Sequence, residues 1–229
     1  MDKTFLKMAI DFSGPCVDLT VVDVKDGKIL LEANKLMQRR EASAITEFIS
    51  NILKDNNLAL ADVKEFTVGS GPGSFTGMRI AAAWVSGFTF GKKDIRVRTI
   101  PSAFALAMSG KIADVEKTCI IFDGRNREVI VFGVSQKNGK IFADGVEEIL
   151  NKEQAAEFFG KNRFDRYITP EYDERAVKLI LPEAIGETLL IVKTVESKHL
   201  LADDLGEFDN DLTKLYYIRP SVANSPSGE

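Results

Sequence analysis

Two aspartates stand where apolar, strand-like runs end, a position from which carboxylates often act in catalysis. Asp11 follows residues 7–10 and Asp123 follows residues 118–122, and each precedes a small turn and a new strand-like run. Paired aspartates on strand ends can hold Mg²⁺ with few protein ligands. Together with Ser13, they are expected to line a cleft, either a working nucleotide site or the remnant of one.

A glycine-rich turn, residues 70–77, lies between a predicted strand at 65–69 and a predicted helix that runs to about Phe90. Its expected loop residues are Gly71, Gly73, Ser74, Thr76 and Gly77. Such a turn can present N–H groups to an anion at a helix start. The run lacks the Gly-Lys-Ser/Thr of a phosphate loop, and its G-x-G-x-x-x-G spacing is not the dinucleotide fingerprint. The alternative is structural: Ser74 or Thr76 caps the helix and Gly77 allows close packing.

The helix behind this turn is apolar on almost every side, which predicts burial on every side. One side can pack on its own sheet, and we expect another subunit to cover the opposite side. The alternative is a central helix enclosed by its own domain. A first helix, at 41–53, carries an apolar stripe and is the expected companion. The predicted interface comprises Ile45, Phe48, Ile49, Ile52, Gly77, Ile80, Ala81, Ala83, Trp84, Gly87 and Phe88.

Composition narrows the class of protein. The 229 residues are 45% hydrophobic and 28% charged, with a net charge of −4, which is typical of a globular domain and unfavourable for broad contact with a phosphate backbone. No stretch reaches the ~18 apolar residues of a membrane span. Cys16 and Cys119 lack C-x-x-C spacing and are expected to be free thiols. We therefore expect a cytoplasmic protein without membrane contact.

The order of elements indicates a duplication. Three antiparallel strands, a helix, a strand and a helix open the chain, then a short strand at 95–100 and a helix from Pro101 follow. A similar run starts near Thr118, with a hairpin turn at Lys137-Asn138-Gly139. This predicts an α/β protein of the actin-like or sugar-kinase-like (ASKHA, ribonuclease H-like) class, with two duplicated βββαβα lobes and mixed sheets. The predicted lobes are 1–112 and 113–219, and 220–229 is predicted to be a disordered tail.

The run GPGSFTGMRI at residues 71–80 resembles the signature of the TsaB (YeaZ) family. Shorter matches are AIDFS at 9–13, IPSAFALA at 100–107, IFDGR at 121–125 and YIRP at 217–220. The resemblance spans nearly the whole chain and is strongest over the first half. At 40–43 this chain has Arg-Glu-Ala-Ser, where many family members carry His-Ser-Glu.

The resemblance implies a non-catalytic scaffold that activates a homologous TsaD-type subunit, which transfers a threonylcarbamoyl group to the adenosine beside the tRNA anticodon. A small TsaE-type ATPase would join them, ATP and Mg would be used by these partner subunits, and this chain alone would bind no cofactor. Alone it would form a homodimer, and it would meet tRNA only indirectly. The catalytic relative holds its metal with His-x-x-x-His, whereas this chain has the single histidine His199, so no metal site is expected.

Two alternatives stay open from the residues. One is a nucleotide-dependent enzyme of the same fold, either a phosphotransferase using Asp11 and Asp123 around Mg²⁺ or a protease-like enzyme. The other is a self-sufficient homodimeric scaffold unrelated to tRNA. ATP binding would favour the first, and a dimer that persists in the presence of the TsaD-type subunit would favour the second.

Overall fold

A mixed five-stranded sheet forms the first lobe. The computed structural model describes residues 5–37 and 44–216. In the order β3-β2-β1-β4-β5, the first three strands are antiparallel and β1, β4 and β5 are parallel. The strands are β1 (Leu6–Asp11), β2 (Cys16–Asp23), β3 (Ile29–Leu36), β4 (Val63–Gly69) and β5 (Arg96–Ile100).

Helices α1 (Ala44–Asp55) and α2 (Phe75–Thr89) pack on one face of this sheet. Their inward residues share a single apolar core with the strands. That core includes Ile45, Ile49, Ala81 and Val85. Helix α3 (Ser102–Ser109) packs on the opposite face, toward the second lobe. The sheet is therefore covered on both sides, as apolar parallel strands require.

The second lobe repeats this arrangement. Its sheet has the order β10-β9-β6-β7-β8, the same topology as the first when each is numbered from its own start. The strands are β6 (Lys117–Arg125), β7 (Glu128–Lys137), β8 (Lys140–Asn151), β9 (Arg166–Pro170) and β10 (Leu190–Val192), and the helices are α4 (Lys152–Lys161), α5 (Glu174–Lys178) and α6 (Glu183–Thr188).

The predicted α/β duplication with mixed sheets is confirmed. Strand β5 matches the short strand predicted at 95–100, and β10 is the equivalent fifth strand of the second sheet. Asn138 and Gly139 have φ values of +52° and +77°, as the predicted two-residue hairpin turn requires. In the described ranges no helix combines the length and apolarity needed to cross a membrane.

The segment after β10 returns to the first lobe. A 3₁₀ turn, Ser197–Leu201, packs between the sheets beside α3. The buried Arg98 guanidinium donates to the carbonyls of Leu200, Ala202 and Gly206, and Asn210 hydrogen-bonds Val97 on the edge strand β5. These hydrogen bonds join residues 200–210 to the first lobe, because a buried cation needs acceptors and an open sheet edge needs hydrogen-bonding partners. Residues 217–229, which include the predicted tail, lie outside the described part.

Candidate functional site

The glycine-rich turn is fixed on both sides by hydrogen bonds. Gly71 N–H donates to Ser102 Oγ (3.0 Å), and Ser102 N–H donates to the Gly71 carbonyl (2.7 Å). Ser74 N–H donates to the Ser13 carbonyl (2.6 Å), and Ser74 Oγ accepts from Gly77 N–H (3.2 Å). Ser74 is thus the N-cap of α2, which confirms one of the two capping residues predicted. Thr76 lies exposed in the first helical turn.

Two of the glycines are required by close approach. Gly73 has a φ of +150°, and a β-carbon there would overlap the carbonyl oxygen of Ser13. A β-carbon on Gly77 would overlap the carbonyl oxygen of Phe12. The turn therefore packs directly against the β1–β2 connection, and the structural interpretation of Gly77 is confirmed.

Asp11 is buried beneath that connection, with 1% of its surface exposed. Its Oδ1 accepts from Ser13 N–H (2.9 Å) and from Ser13 Oγ (2.7 Å), and its Oδ2 accepts from Ser102 Oγ. Burial raises the pKa of the Asp11 carboxyl, although the three hydrogen bonds oppose this shift. Asp11 is therefore held by internal donors and does not line the cleft.

A cleft of about 380 Å³ lies between the lobes. Of the residues predicted for it, Ser13, Gly73, Ser74, Thr76 and Asp123 line it. Asp11, Gly71 and Gly77 are buried outside its lining. The duplication thus places the two predicted aspartates at equivalent strand ends, but only Asp123 reaches the cleft.

The cleft contains a second carboxylate, Asp173, that the sequence reasoning missed. Asp173 Oδ2 accepts from Asp123 N–H (3.1 Å), while the Asp123 carboxylate binds the Arg125 guanidinium (2.8 Å). Burial is the main cause that raises the pKa of Asp173 to about 6, and the nearby Asp123 charge adds to it. The signal that could have indicated Asp173 is its position just after β9, because β9 lies next to β6, the strand of Asp123, in the sheet.

Tyr172 separates this cleft from a second cavity, of about 510 Å³, on the other side of the β1–β2 connection. Its hydroxyl is buried and has no hydrogen-bond partner among the described residues. Burial, with the charges of Asp173 and Asp11 contributing, raises the pKa of the Tyr172 phenol well above its ordinary value. The tyrosine therefore stays neutral at the point where the two lobes meet.

Helices α1 and α2 also present an outer surface. Ala83 and Gly87 are exposed, and Phe48, Ile52, Ile80, Trp84 and Phe88 are half-buried. We call these seven residues the outer helix face. The other four predicted interface residues, Ile45, Ile49, Gly77 and Ala81, are buried against their own sheet. Among residues 5–37 and 44–216, the sheet covers one side of α2, and the opposite side is the one for which a partner subunit is expected.

Aromatic rings organise the outer helix face. Trp84 and Phe88 stack with centroids 6.3 Å apart, and both pack on the buried Phe66. Lys92 Nζ lies 3.3 Å from the centroid of Phe88, and Lys35 Nζ lies 5.5 Å from that of Phe48. The face is therefore preorganised, apolar at its centre and basic at its rim.

The remaining candidate groups are the two cysteines and the single histidine. Cys16 and Cys119 are free thiols, as predicted. Within residues 5–37 and 44–216, no group of three or more His, Cys, Asp or Glu side chains is placed to hold a metal ion. His199 faces Glu196, with Nε2 and Oε2 3.2 Å apart.

Comparison with known proteins identifies the family. Residues 34–189 match the family model described as "TsaD: tRNA N6-adenosine threonylcarbamoyltransferase". The chain is similar to the tRNA threonylcarbamoyladenosine biosynthesis protein TsaB of Haemophilus influenzae, with 35% identity over 42% of this chain and 41% of that protein. The chain is also similar to the TsaB protein of Bacillus subtilis, with 24% identity over 67% of this chain and 69% of that protein. The first of these alignments spans less than half the length of the relative.

The comparison with solved structures agrees with the sequence comparison. YeaZ from Pseudomonas aeruginosa superposes with a TM-score of 0.67 and 21% identity, covering 86% of this chain and 89% of that one. This likeness shows the fold. The chain therefore belongs to the TsaD-type family that the matching model describes, and within it to the TsaB (YeaZ) group.

Proposed function

We propose that this chain acts in the biosynthesis of tRNA threonylcarbamoyladenosine as a non-catalytic subunit that docks on a TsaD-type catalytic subunit. The proposal places its action in the cytoplasm, with ATP and Mg held by the TsaD-type and TsaE-type partners and with tRNA met only through the complex. Alone, the chain would pair with a second copy through the same surface. The family membership and the names of the similar proteins support this role.

The observation that carries the docking proposal is the outer helix face. Apart from the backbone of its own helix and its chain neighbours, no described atom lies within 4 Å of the position that a β-carbon on Gly87 would occupy, and Ala83 is exposed beside it. Small residues at these positions let a partner helix approach closely, and Trp84 and Phe88 flank them as rigid apolar anchors. Exposed apolar surface of this kind is typical of a protein interface. Ordinary stable interfaces bury about 800 Å² on each partner.

The charge at the rim adds a constraint on the partner. Lys35 and Lys92 lie over the rings of Phe48 and Phe88, so a partner surface with acidic residues at its edge would complement this face. Such rim charges act mainly on the association rate and on specificity. We therefore expect the binding rate to fall as salt concentration rises.

The test is sedimentation of the chain alone and mixed with the TsaD-type subunit of the same genome. Ala83→Arg places a long cation at the centre of the outer helix face and should abolish the heterodimer. The matched control is Ala156→Arg, the same change at an exposed position of helix α4 in the second lobe, which should leave it intact. Circular dichroism checks that both variants fold.

The other outcomes are informative. No complex with the unmodified chain would reject the assignment. A complex that survives Ala83→Arg would keep the function but reject this surface. A homodimer that persists unchanged when the TsaD-type subunit is added would favour the self-sufficient scaffold.

A further inference from the structure

A continuous chain of hydrogen bonds joins the buried Asp11 to the first turn of α2. Asp11 Oδ1 holds both the N–H and the hydroxyl of Ser13. The Ser13 carbonyl accepts from Ser74 N–H (2.6 Å). Ser74 then accepts, through Oγ, from Gly77 N–H and, through its carbonyl, from Met78 N–H (3.0 Å). Two residues, Ser13 and Ser74, thus connect the buried carboxylate to the helix.

The same carboxylate fixes the other end of the glycine-rich turn. Its Oδ2 accepts from Ser102 Oγ, and Ser102 Oγ in turn accepts from Gly71 N–H (3.0 Å). Asp11 therefore holds both the Ser13 side and the Gly71 side of the segment that leads into α2. A single buried acceptor with two oxygens is suited to this, because each oxygen can fix a different chain segment.

These hydrogen bonds explain the buried carboxylate of Asp11 better than a metal-binding role does. Both Asp11 oxygens already accept hydrogen bonds from internal donors, and the side chain is 1% exposed. A buried carboxylate is costly to desolvate, and internal donors offset that cost only when their geometry is maintained. The hydrogen bonds therefore offset the desolvation cost of Asp11 only while Ser13 and the glycine-rich turn stay in place.

We propose that Asp11 is a positioning residue, which holds the first turn of α2 in the arrangement that the partner subunit binds. The inference rests on the proposed function, since α2 carries most of the outer helix face. If the first turn were released, the binding-competent conformation would be populated less, and the apparent affinity would fall by the same fraction.

The interlobe cleft is joined to the same unit. Ser13, Gly73, Ser74 and Thr76 line the cleft and belong to the connection and turn that Asp11 holds.

The experiment compares Asp11→Ala with Thr20→Val by amide hydrogen exchange in the free chain. Asp11→Ala leaves three buried donors on Ser13 and Ser102 without an acceptor. Thr20→Val is the control, because it removes a buried hydrogen bond to Ser197 (2.9 Å) at a site remote from α2. Temperatures are chosen so that both variants have the same free energy of unfolding. In Asp11→Ala, the Gly77 and Met78 amides should exchange about tenfold faster, on the scale of a lost helix cap.

The Phe90 amide, which donates to the Ser86 carbonyl in the last turn of α2, is the internal reference and should not change. Affinity for the TsaD-type subunit should fall by about tenfold in Asp11→Ala and stay unchanged in Thr20→Val. Asp11→Asn keeps an acceptor oxygen for Ser13 and should restore part of both effects. If Asp11→Ala does not fold, Ser102→Ala, which removes the hydroxyl that joins Asp11 Oδ2 to Gly71 N–H, is judged by the same criteria.

Equal exchange at Gly77 and Met78 in the wild type and Asp11→Ala would overturn the inference, as would equal effects of Asp11→Ala and Thr20→Val. Failure of the wild-type chain to bind the TsaD-type subunit would reject the proposed function instead. The exchange measurement would still decide whether Asp11 positions the helix, because it needs no partner.

Discussion

The ring of Tyr172, in the second lobe, lies directly against Gly14 in the β1–β2 connection of the first. A β-carbon on Gly14 would come within 2.8 Å of both Cζ and Oη of the tyrosine. No larger residue than glycine fits at position 14 without moving the ring. This contact, together with the buried Asp11 network beside it, defines where the two lobes meet at the cleft.

Removing the Tyr172 hydroxyl is expected to stabilise the protein. The hydroxyl is buried without a partner among the described residues, and an unsatisfied buried polar group costs about 1–3 kcal/mol. Tyr172→Phe should therefore raise the free energy of unfolding by about 1 kcal/mol in urea denaturation. The control is Tyr167→Phe, because the Tyr167 hydroxyl accepts from Phe164 N–H at 3.5 Å; that change should not stabilise the protein. A loss of stability in Tyr172→Phe would show that the hydroxyl has a partner in solution.

Because of Asp173, the free energy of unfolding is expected to fall as the pH rises. The pKa of Asp173 is about 6 in the folded protein against an ordinary value of 3.8, so between about pH 4 and pH 6 the folded state binds more protons than the unfolded state. Asp173→Asn removes this titration. The free energy of unfolding of the variant, relative to wild type, should increase by about 2 kcal/mol from pH 4 to pH 7. Urea denaturation across that range measures the difference.

The control for the pH experiment is Asp114→Asn. Hydrogen bonds from Gly139 N–H and from Gln136 lower the pKa of the Asp114 carboxyl, so its contribution to stability is lost as the pH falls. The stability of Asp114→Asn relative to wild type should therefore decrease as the pH rises, the opposite direction. A flat difference for Asp173→Asn would mean that the carboxyl is hydrated in solution and titrates near its ordinary pKa.

Two glycines of helix α2 should respond oppositely to alanine. Gly77→Ala forces a β-carbon onto the Phe12 carbonyl and should cost about 2 kcal/mol or more, as overpacking of a tight site does. Gly87→Ala meets open space and should stabilise the free chain by about 0.5–1 kcal/mol through helix propensity. Thermal unfolding at low protein concentration compares the two. Equal effects would contradict the close packing assigned to Gly77.

The order of helices and strands along the chain follows closely from the sequence. Apolar alternation in residues 17–24, the helical stripe of Ile45 and Ile49 and the Asn138-Gly139 turn are local signals, because each depends on neighbouring residues and on fixed backbone periods. The repeat of these signals after Thr118 predicted the duplication. The glycine spacing likewise predicted a tight turn before α2, and Ser74 as one of two possible caps.

Tertiary structure alone decided which of these residues face the cleft, the core or the solvent. Asp11 and Asp123 follow equivalent strands, yet Ser13 and Ser102 bury the first and Arg125 pairs with the second, because the contacting residues differ in the two lobes. The return of residues 197–216 to β5, the pairing of Asp173 with Asp123 and the exposed side of α2 all depend on residues far apart in sequence. Periodicity determines which element forms and which side is apolar, whereas only long-range packing determines what covers that side.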